Sequence, residues 1–456
     1  MATTAAEDVI QIGDYVVVQK LGGEHIRIVK IEKKTNILIE KLRFMSDGAI
    51  GQRFGLFFVA KQKLTPADYE PEHHAVEIEE KEAAPLAEAP KGDTNGSTDR
   101  EEEKPVVDNG STDKEEAAVD NGSTESESAG KKEEVNPAQS RQKLTQEEIL
   151  ELKGAGTDAK DLVSKLVDGS THFNARTEYA KSKYIRKKRQ KHSDHVLLLR
   201  PTVRMIAHSY YLKDPERICN LRIDQLSHLL TLCGARSGLN VMVFEQTLGL
   251  ITAGIVQRMG GKGRCVHLHR GQIAQSIPCY QSLHLTPEML ETFYPLRIAT
   301  ILSKGVIEED PQEPDYMEME KTKDKEAAAV TYHRKLERLS KERRAWEMVS
   351  GDAENPGSID SLVIACRNVD PVDVLEKTYT ALQFSGTVVL YSSVQEPLVK
   401  AYNWLRQNGA INLALSDSFY RTHQVLPQST HPLMQQMITS GFILSGIKVK
   451  VPAEPS

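Results

Sequence analysis

The sequence predicts a multi-domain α/β protein: a small N-terminal antiparallel β-barrel, a helical connection, and a C-terminal doubly wound, Rossmann-like domain. Three observations carry this. From Asn240 onward, apolar runs of strand length alternate with helix-period segments: strand to 244, helix to 257, strands 265–269 and 362–365, helix 372–383, strand 387–391 and helix 397–407. Strands near 411–415 and 442–449 follow, the last of them antiparallel. At the start of that series, Asn240-Val-Met-Val-Phe-Glu-Gln-Thr-Leu-Gly-Leu-Ile has the shape of the strand, turn and helix that hold a nucleotide cofactor. Well before it, residues 12–64 alternate with period two (Tyr15-Val-Val-Val, Ile26-Arg-Ile-Val-Lys-Ile, Asn36-Ile-Leu-Ile, Leu56-Phe-Phe-Val), as short strands of a barrel or sheet do.

The turn after 244 has the right shape and the wrong residues. A cofactor-binding turn of this kind runs acidic-x-Gly-x-Gly-x-Gly, because only glycine lets backbone N–H groups and the helix start approach the ligand closely. Glu245, Thr247, Gly249 and Ile251 stand at those four positions. The Cβ of Thr247 and the branched side chain of Ile251 are expected to project into the space a nucleoside needs. The next strand, Cys265-Val-His-Leu-His269, should end in a carboxylate that accepts from ribose hydroxyls, and it ends in His269 and Arg270. Two failures at one site predict that no cofactor is bound. An α/β fold that never held a nucleotide fits the strand and helix pattern as well.

Other candidate chemistry fails on spacing. Gly260-Gly-Lys-Gly263 lacks the upstream glycine and the hydroxyl residue of a phosphate loop and reads as a helix end. His267 and His269 share a strand face, but no acidic or cysteine partner lies near them in sequence to complete a metal site. Five scattered cysteines, none in a C-x-x-C pair, indicate neither a disulfide framework nor a zinc cage, which is the usage of a reducing compartment. Neither a signal-like N-terminus nor a membrane-length apolar run is legible, so the expected location is cytosolic or nuclear.

The net charge of −6 conceals an asymmetry. Residues 70–140 hold 21 acidic against 7 basic side chains, which leaves the rest of the chain basic by eight charges. That acidic stretch repeats Asn-Gly-Ser-Thr at Asn95, Asn109 and Asn121 and is almost free of aromatics, so it is expected to be a disordered linker. The resulting division is 1–70 barrel, 71–140 linker, 141–235 helical connection and 236–456 α/β domain, with a charged insertion at about 306–356. The insertion is expected to contain an exposed helix near 325–348 that extends from the domain, because few apolar residues are there to pack.

In the helical connection, Thr145-Gln-Glu-Glu148 is a capping box, followed by helices at about 158–166 and 174–191. The last ends in Lys181, Lys183, Arg186, Lys187, Lys188, Arg189 and Lys191, seven basic residues in eleven with no acid among them. A helix basic all round repels itself unless phosphates neutralise it, so this segment is expected to contact nucleic acid; a nuclear import signal is the compatible second reading. Lys20, Lys30, Lys33, Lys34 and the barrel phenylalanines Phe44, Phe54, Phe57 and Phe58 also suit RNA, although phenylalanine at strand spacing is more often core.

Taken in order, Asn136-Pro-Ala-Gln, Leu144-Thr-Gln-Glu-Glu-Ile, Arg217-Ile-Cys-Asn-Leu-Arg222, the eroded turn at Glu245, Gln424-Val-Leu-Pro, Thr430-His-Pro-Leu and Leu444-Ser-Gly resemble the non-catalytic subunit of the eukaryotic tRNA adenine-N1 methyltransferase. The resemblance implies a methyltransferase-type fold with a degenerate cofactor site and no cofactor of its own. It implies a catalytic paralogue that binds S-adenosylmethionine and methylates a T-loop adenosine within a two-plus-two heterotetramer in the nucleus, and a role in tRNA binding and assembly for the chain in hand. The resemblance adds Arg367 and Arg421 to the RNA-contact candidates. The family's glycine-rich stretch after the His-Pro motif is replaced here by Gln435-Gln-Met-Ile-Thr-Ser-Gly. An active S-adenosylmethionine-dependent RNA methyltransferase with an atypical turn, and a free-standing RNA-binding protein, are the competing readings.

Overall fold

A computed structural model describes residues 9–23, 25–40, 42–67, 143–154, 159–171, 173, 178–271, 276–314, 322–425, 430–434, 436 and 438–450. The acidic linker and Asn136-Pro-Ala-Gln lie outside these residues. The described chain falls into two units, residues 1–69 with 189–456 and residues 70–188.

At the N-terminus, strands β1 (Tyr15–Lys20), β2 (Ile26–Lys30), β3 (Asn36–Ile39), β4 (Leu42–Met45), β5 (Gly55–Ala60) and β6 (Lys63–Pro66) follow the period-two pattern. They do not close a barrel among the described residues. β3 and β4 form a separate hairpin, and the main sheet runs β2-β1-β7-β5-β6, where β7 is His195–Leu199. A strand from the stretch read as helical connection thus sits in the middle of the N-terminal sheet, paired antiparallel with β1 on one side and β5 on the other. Its Val196 and Leu198 join Val16, Val18, Phe44 and Phe57 in one core. Without β7, β1 and β5 would each expose an unpaired edge, so the chain must return from its long excursion before this sheet is complete.

Within the 70–188 unit, α1 (Gln146–Gly154) opens on the expected capping box. Thr145 N donates to Glu148 Oε2 at 2.8 Å, and Glu148 N donates to Thr145 Oγ1 at 3.2 Å. α2 (Ala159–Asp168) buries Leu162, Val163 and Leu166. The basic helix α3 (Glu178–His192) rests Tyr184 against Phe173 and donates the tyrosine hydroxyl to the Leu166 carbonyl.

The C-terminal domain begins with α4 (Val203–Lys213) and α5 (Ile223–Leu232). It continues through β8 (Asn240–Glu245), α6 (Leu250–Met259), β9 (Arg264–His269), the short helices α7 (Pro278–Gln281) and α8 (Pro287–Glu291), β10 (Phe293–Arg297), α9 (Ile298–Leu302) and α10 (Thr322–Val349). β11 (Ile359–Cys366), α11 (Pro371–Thr378), β12 (Leu382–Ser392), α12 (Gln395–Gln407), β13 (Ala410–Ser416), the two-residue strands β14 (His423–Gln424) and β15 (His431–Pro432), and β16 (Phe442–Lys448) complete it. The seven-stranded order is β10-β9-β8-β11-β12-β16-β13. The first five strands are parallel, and β16 runs antiparallel between β12 and β13. One face carries the core that includes α4, α5 and α6; the other carries α10, α11 and α12.

The inserted helix α10 departs from expectation. Its last three turns are anchored in the domain: Leu339, Ala345, Met348 and Val349 are buried, and Glu342 is 2% exposed. Glu342 Oε1 accepts from Arg297 Nε at 2.7 Å and from Thr300 Oγ1 at 2.5 Å, while Arg297 Nη1 donates to Glu308 Oε1 at 2.8 Å. The apolar anchors are few and diluted by Arg, Lys and Glu, and a buried carboxylate reads in sequence as one more surface charge.

Candidate functional site

In open α/β sheets, ligands sit beyond the carboxyl ends of the strands at the point where strand order reverses, which here lies between β8 and β11. β8 delivers Glu245 to that point, 6% exposed. The chain then turns through Leu248 and Gly249, both at positive φ (59° and 80°), into α6. The carboxylate folds back over the helix start. It accepts from Ile251 N at 3.1 Å and Thr252 N at 2.8 Å, and from the hydroxyls of Thr247 and Thr252. Helix N-terminal N–H groups are the donors that an anionic or polar ligand would use, and here they are saturated by the chain's own side chain.

Three further contacts close the space. Gly249 is the one glycine retained, and a Cβ on it would lie 2.6 Å from the Cβ of Ile277, so the close approach that glycine permits is made by protein. Gln246 bridges the reversal point. Its N donates to Ala365 O at 3.0 Å, its Oε1 accepts from the Arg367 and Asn368 backbone at 2.8 and 3.2 Å, and its Nε2 donates to Asn368 Oδ1 at 2.7 Å. At the end of β9, His269 is 4% exposed, its Nδ1 has no hydrogen-bond partner among the described residues, and burial lowers its pKa. A nucleoside cofactor does not fit these residues. Ile251 differs in detail from expectation: its side chain is fully buried in the core with α4 and α5, and its contribution at the turn is its N–H.

Behind the carboxylate, Thr252 Oγ1 lies 3.0 Å from His267 Nδ1. Burial pulls the His267 pKa below its ordinary value, with Glu245 opposing, so the ring is neutral at pH 7. Since the Thr252 hydroxyl donates to Glu245, the ring donates from Nδ1 to Thr252. His267 thus belongs to a buried hydrogen-bond relay with Thr252 and Glu245, and no group of side chains suited to a metal ion occurs among the described residues.

The same edge of the sheet supports an arm between β13 and β16, residues 417–441, whose base is clamped. Arg222, 3% exposed, holds Asp224 in a two-pronged ion pair at 2.6 and 3.0 Å and donates to the carbonyls of Ile438 (2.8 Å) and Ser418 (2.7 Å). Gln225 exchanges hydrogen bonds with the Gly441 backbone, and Tyr211 donates to Thr439 O at 2.5 Å. The preceding Cys219 and Asn220 both adopt positive φ, and the Cys219 carbonyl accepts from Tyr391 Oη at 2.9 Å. The Arg217-to-Arg222 motif therefore joins the filled turn to the arm, a role that its sequence does not announce. Phe419, Val425 and Met434 on the arm are 81%, 77% and 86% exposed.

The candidate RNA contacts lie on three separate elements of the chain. Lys181, Lys183, Lys187, Lys188, Arg189 and Lys191 lie along α3, with Lys188 Nζ 5.3 Å from the centre of the Tyr184 ring; the Arg186 side chain lies outside the described residues. Arg367 follows β11 and pairs with Glu216 at 3.1 Å, the two side chains 49% and 73% exposed. Arg421 is exposed on the arm, next to Tyr420. Lys20 is 3% exposed and donates to the Lys191 carbonyl at 2.9 Å, so it caps α3 rather than facing RNA.

Glu245→Ala strands two buried N–H groups and two hydroxyls and is expected to lower stability by about 3 kcal/mol; Glu245→Gln, which keeps one acceptor, should cost less. Thermal unfolding of the three proteins checks this, and equal midpoints would show that the carboxylate does not hold the turn. For His267, the folded pKa lies below the ordinary 6.5, so its contribution is complete above about pH 6.5 and is lost as pH falls toward the depressed folded value. The midpoint should therefore drop between pH 7 and 5, and less steeply in His267→Asn.

Residues 9–331 match the Gcd10p family. Among curated proteins, the chain is 29% identical to the tRNA (adenine(58)-N(1))-methyltransferase non-catalytic subunit trm6 of Dictyostelium discoideum, covering 98% of this chain and 81% of the relative. It is 26% identical to the protein of the same description from Mus musculus, covering 98% and 90%. Among solved structures, the tRNA (m1A58) methyltransferase TrmI of Aquifex aeolicus aligns over 97% of this chain and 100% of that one, at 11% identity and a TM-score of 0.41. The family match spans the larger part of the sequence and includes the filled turn, and the chain belongs to the Gcd10p family.

Proposed function

We propose that this chain is the non-catalytic, tRNA-binding and assembly subunit of a tRNA adenine-N1 methyltransferase. A catalytic paralogue holds S-adenosylmethionine, and the two methylate a T-loop adenosine. The observation that carries the proposal is the Glu245 carboxylate on the α6 N-terminus, with Gln246 and Ile277 beside it. An active enzyme with an atypical turn would have to displace all three. The descriptions of the curated relatives support the same reading.

The finer assignments rest on charge and exposure. Phosphates are held by Lys181, Lys183, Arg186, Lys187, Lys188, Arg189 and Lys191, with Arg367 and Arg421 as further contacts. The apolar tips Phe419, Val425 and Met434, on an arm whose base is clamped by buried hydrogen bonds, suit a surface covered by the paralogue in a two-plus-two heterotetramer. The location is nuclear, where the basic run doubles as an import signal. Among the described residues no helix is long and apolar enough to cross a membrane.

Calorimetry of the purified chain with S-adenosylmethionine should give no binding heat up to millimolar ligand, a limit near 4 kcal/mol, and tRNA methylation should appear only on mixing with the paralogue. Micromolar binding at one site per chain, or methyl transfer by this chain alone, would sink the proposal. Changing Lys187, Lys188 and Arg189 to alanine should weaken tRNA binding and reduce the logarithmic salt slope by about two to three units, because each lost phosphate contact removes about one released counterion. A triple variant with unchanged affinity and slope but lost nuclear accumulation would reduce the segment to an import signal.

A further inference from the structure

The outer face of the N-terminal sheet carries a second feature suited to RNA. On β5, Phe57 and Val59 point into the core, so strand alternation puts Phe58 on the opposite face. On β7, Val196 and Leu198 point inward, so His195 is also on the outer face, directly paired with Phe58. The two rings are 5.2 Å apart and tilted by 48°, and Phe58 is 37% exposed. On β6, Leu64 is core, which places Lys63 and Thr65 on the outer face, Thr65 paired with Phe58 and Lys63 with Ala60.

Basic residues lie on the segments that adjoin β5 and β7. The tight turn from β5 to β6 presents Lys61 and Gln62, both at positive φ (47° and 64°), in a connection where Asn-Gly is the unstrained choice. The end of α3, bearing Arg189 and Lys191, and the residues that follow it are hydrogen-bonded to the sheet. Val59 N donates to Asp194 O at 2.9 Å, Leu21 N to His195 O at 3.0 Å, and Lys20 Nζ to Lys191 O at 2.9 Å. Arg189, Lys191, Lys61 and Lys63 are all exposed.

We propose that Phe58 and His195 form a stacking platform for an unpaired nucleobase of a structured RNA, whose flanking phosphates are held by Lys61, Lys63, Arg189 and Lys191. The proposal rests on the tRNA-binding reading above and extends it from the basic helix onto the sheet. An aromatic face beside a row of cations is the recurrent arrangement for single-stranded nucleotides: stacking takes the base whatever its identity, and the cations track the backbone. The charge complementarity of four cations favours RNA over an apolar protein partner on this face.

The test uses the full chain in complex with its catalytic paralogue, titrated with an unmodified tRNA transcript between 50 and 200 mM salt. Phe58→Leu, which keeps an apolar side chain but removes the ring, should weaken binding about tenfold with the salt slope unchanged, and Phe58→Trp should bind at least as well as wild type. The pair Lys61→Ala with Lys63→Ala should instead reduce the slope by about one to two units. Equal affinity of Phe58→Leu and wild type, in a complex that still responds to the Lys187, Lys188 and Arg189 substitutions, overturns the platform and leaves the tRNA-binding reading intact. A wild-type complex without tRNA affinity overturns both. If Phe58→Leu causes the paralogue to dissociate on size-exclusion chromatography, the face is a protein contact and the platform is likewise overturned.

Discussion

The C-terminal domain depends on one carboxylate. Glu245 ends β8 beneath the α6 N-terminus, where backbone N–H groups have no intrahelical partner and must be satisfied by something. With those donors and two threonine hydroxyls directed at it, the carboxylate does for the helix what a bound ligand does in a cofactor-dependent relative of the fold. The turn is thereby stable without a ligand, and the glycines that ligand approach requires are no longer needed. Thr247 is useful for the hydroxyl that glycine lacks, and Ile251 for core volume.

Stability without cofactor frees the sheet edge for another task. Gln246 ties the turn to the chain after β11, the Cys219 thiol lies against the Gln246 carbonyl at 3.4 Å, and Arg222 holds both ends of the arm. These bonds are largely to backbone carbonyls and N–H groups, which fixes the arm's base in position without specifying its exposed tips. The edge that would present a methyl donor in an enzyme presents a clamped apolar arm instead.

The N-terminal sheet shows a different constraint, imposed by chain path. Because β7 pairs with both β1 and β5, the basic helix that precedes it ends against the sheet, and Lys20 caps its final turn from below. A lysine buried in this way is stabilised by a helix carbonyl and by Glu40 at 3.5 Å rather than by solvent. The Lys20 charge joins helix to strand and is not exposed to RNA.

By itself the sequence determined the doubly wound domain, its antiparallel terminal strand, the capping box at Thr145 and the loss of the cofactor turn, because hydrophobic period, helix-cap spacing and glycine content are local properties. It also singled out the basic run of α3, since charge density needs no tertiary context. The sequence did not disclose that Glu245 fills the space left by the missing glycines, that β7 belongs to the N-terminal sheet, that Glu342 is buried against Arg297, or that Phe58 faces outward among core phenylalanines. Each of these depends on which distant residue a side chain meets. A carboxylate reads alike whether it faces water or a helix N-terminus, and a five-residue apolar strand carries no mark of the sheet it will join, so only the tertiary structure decided them.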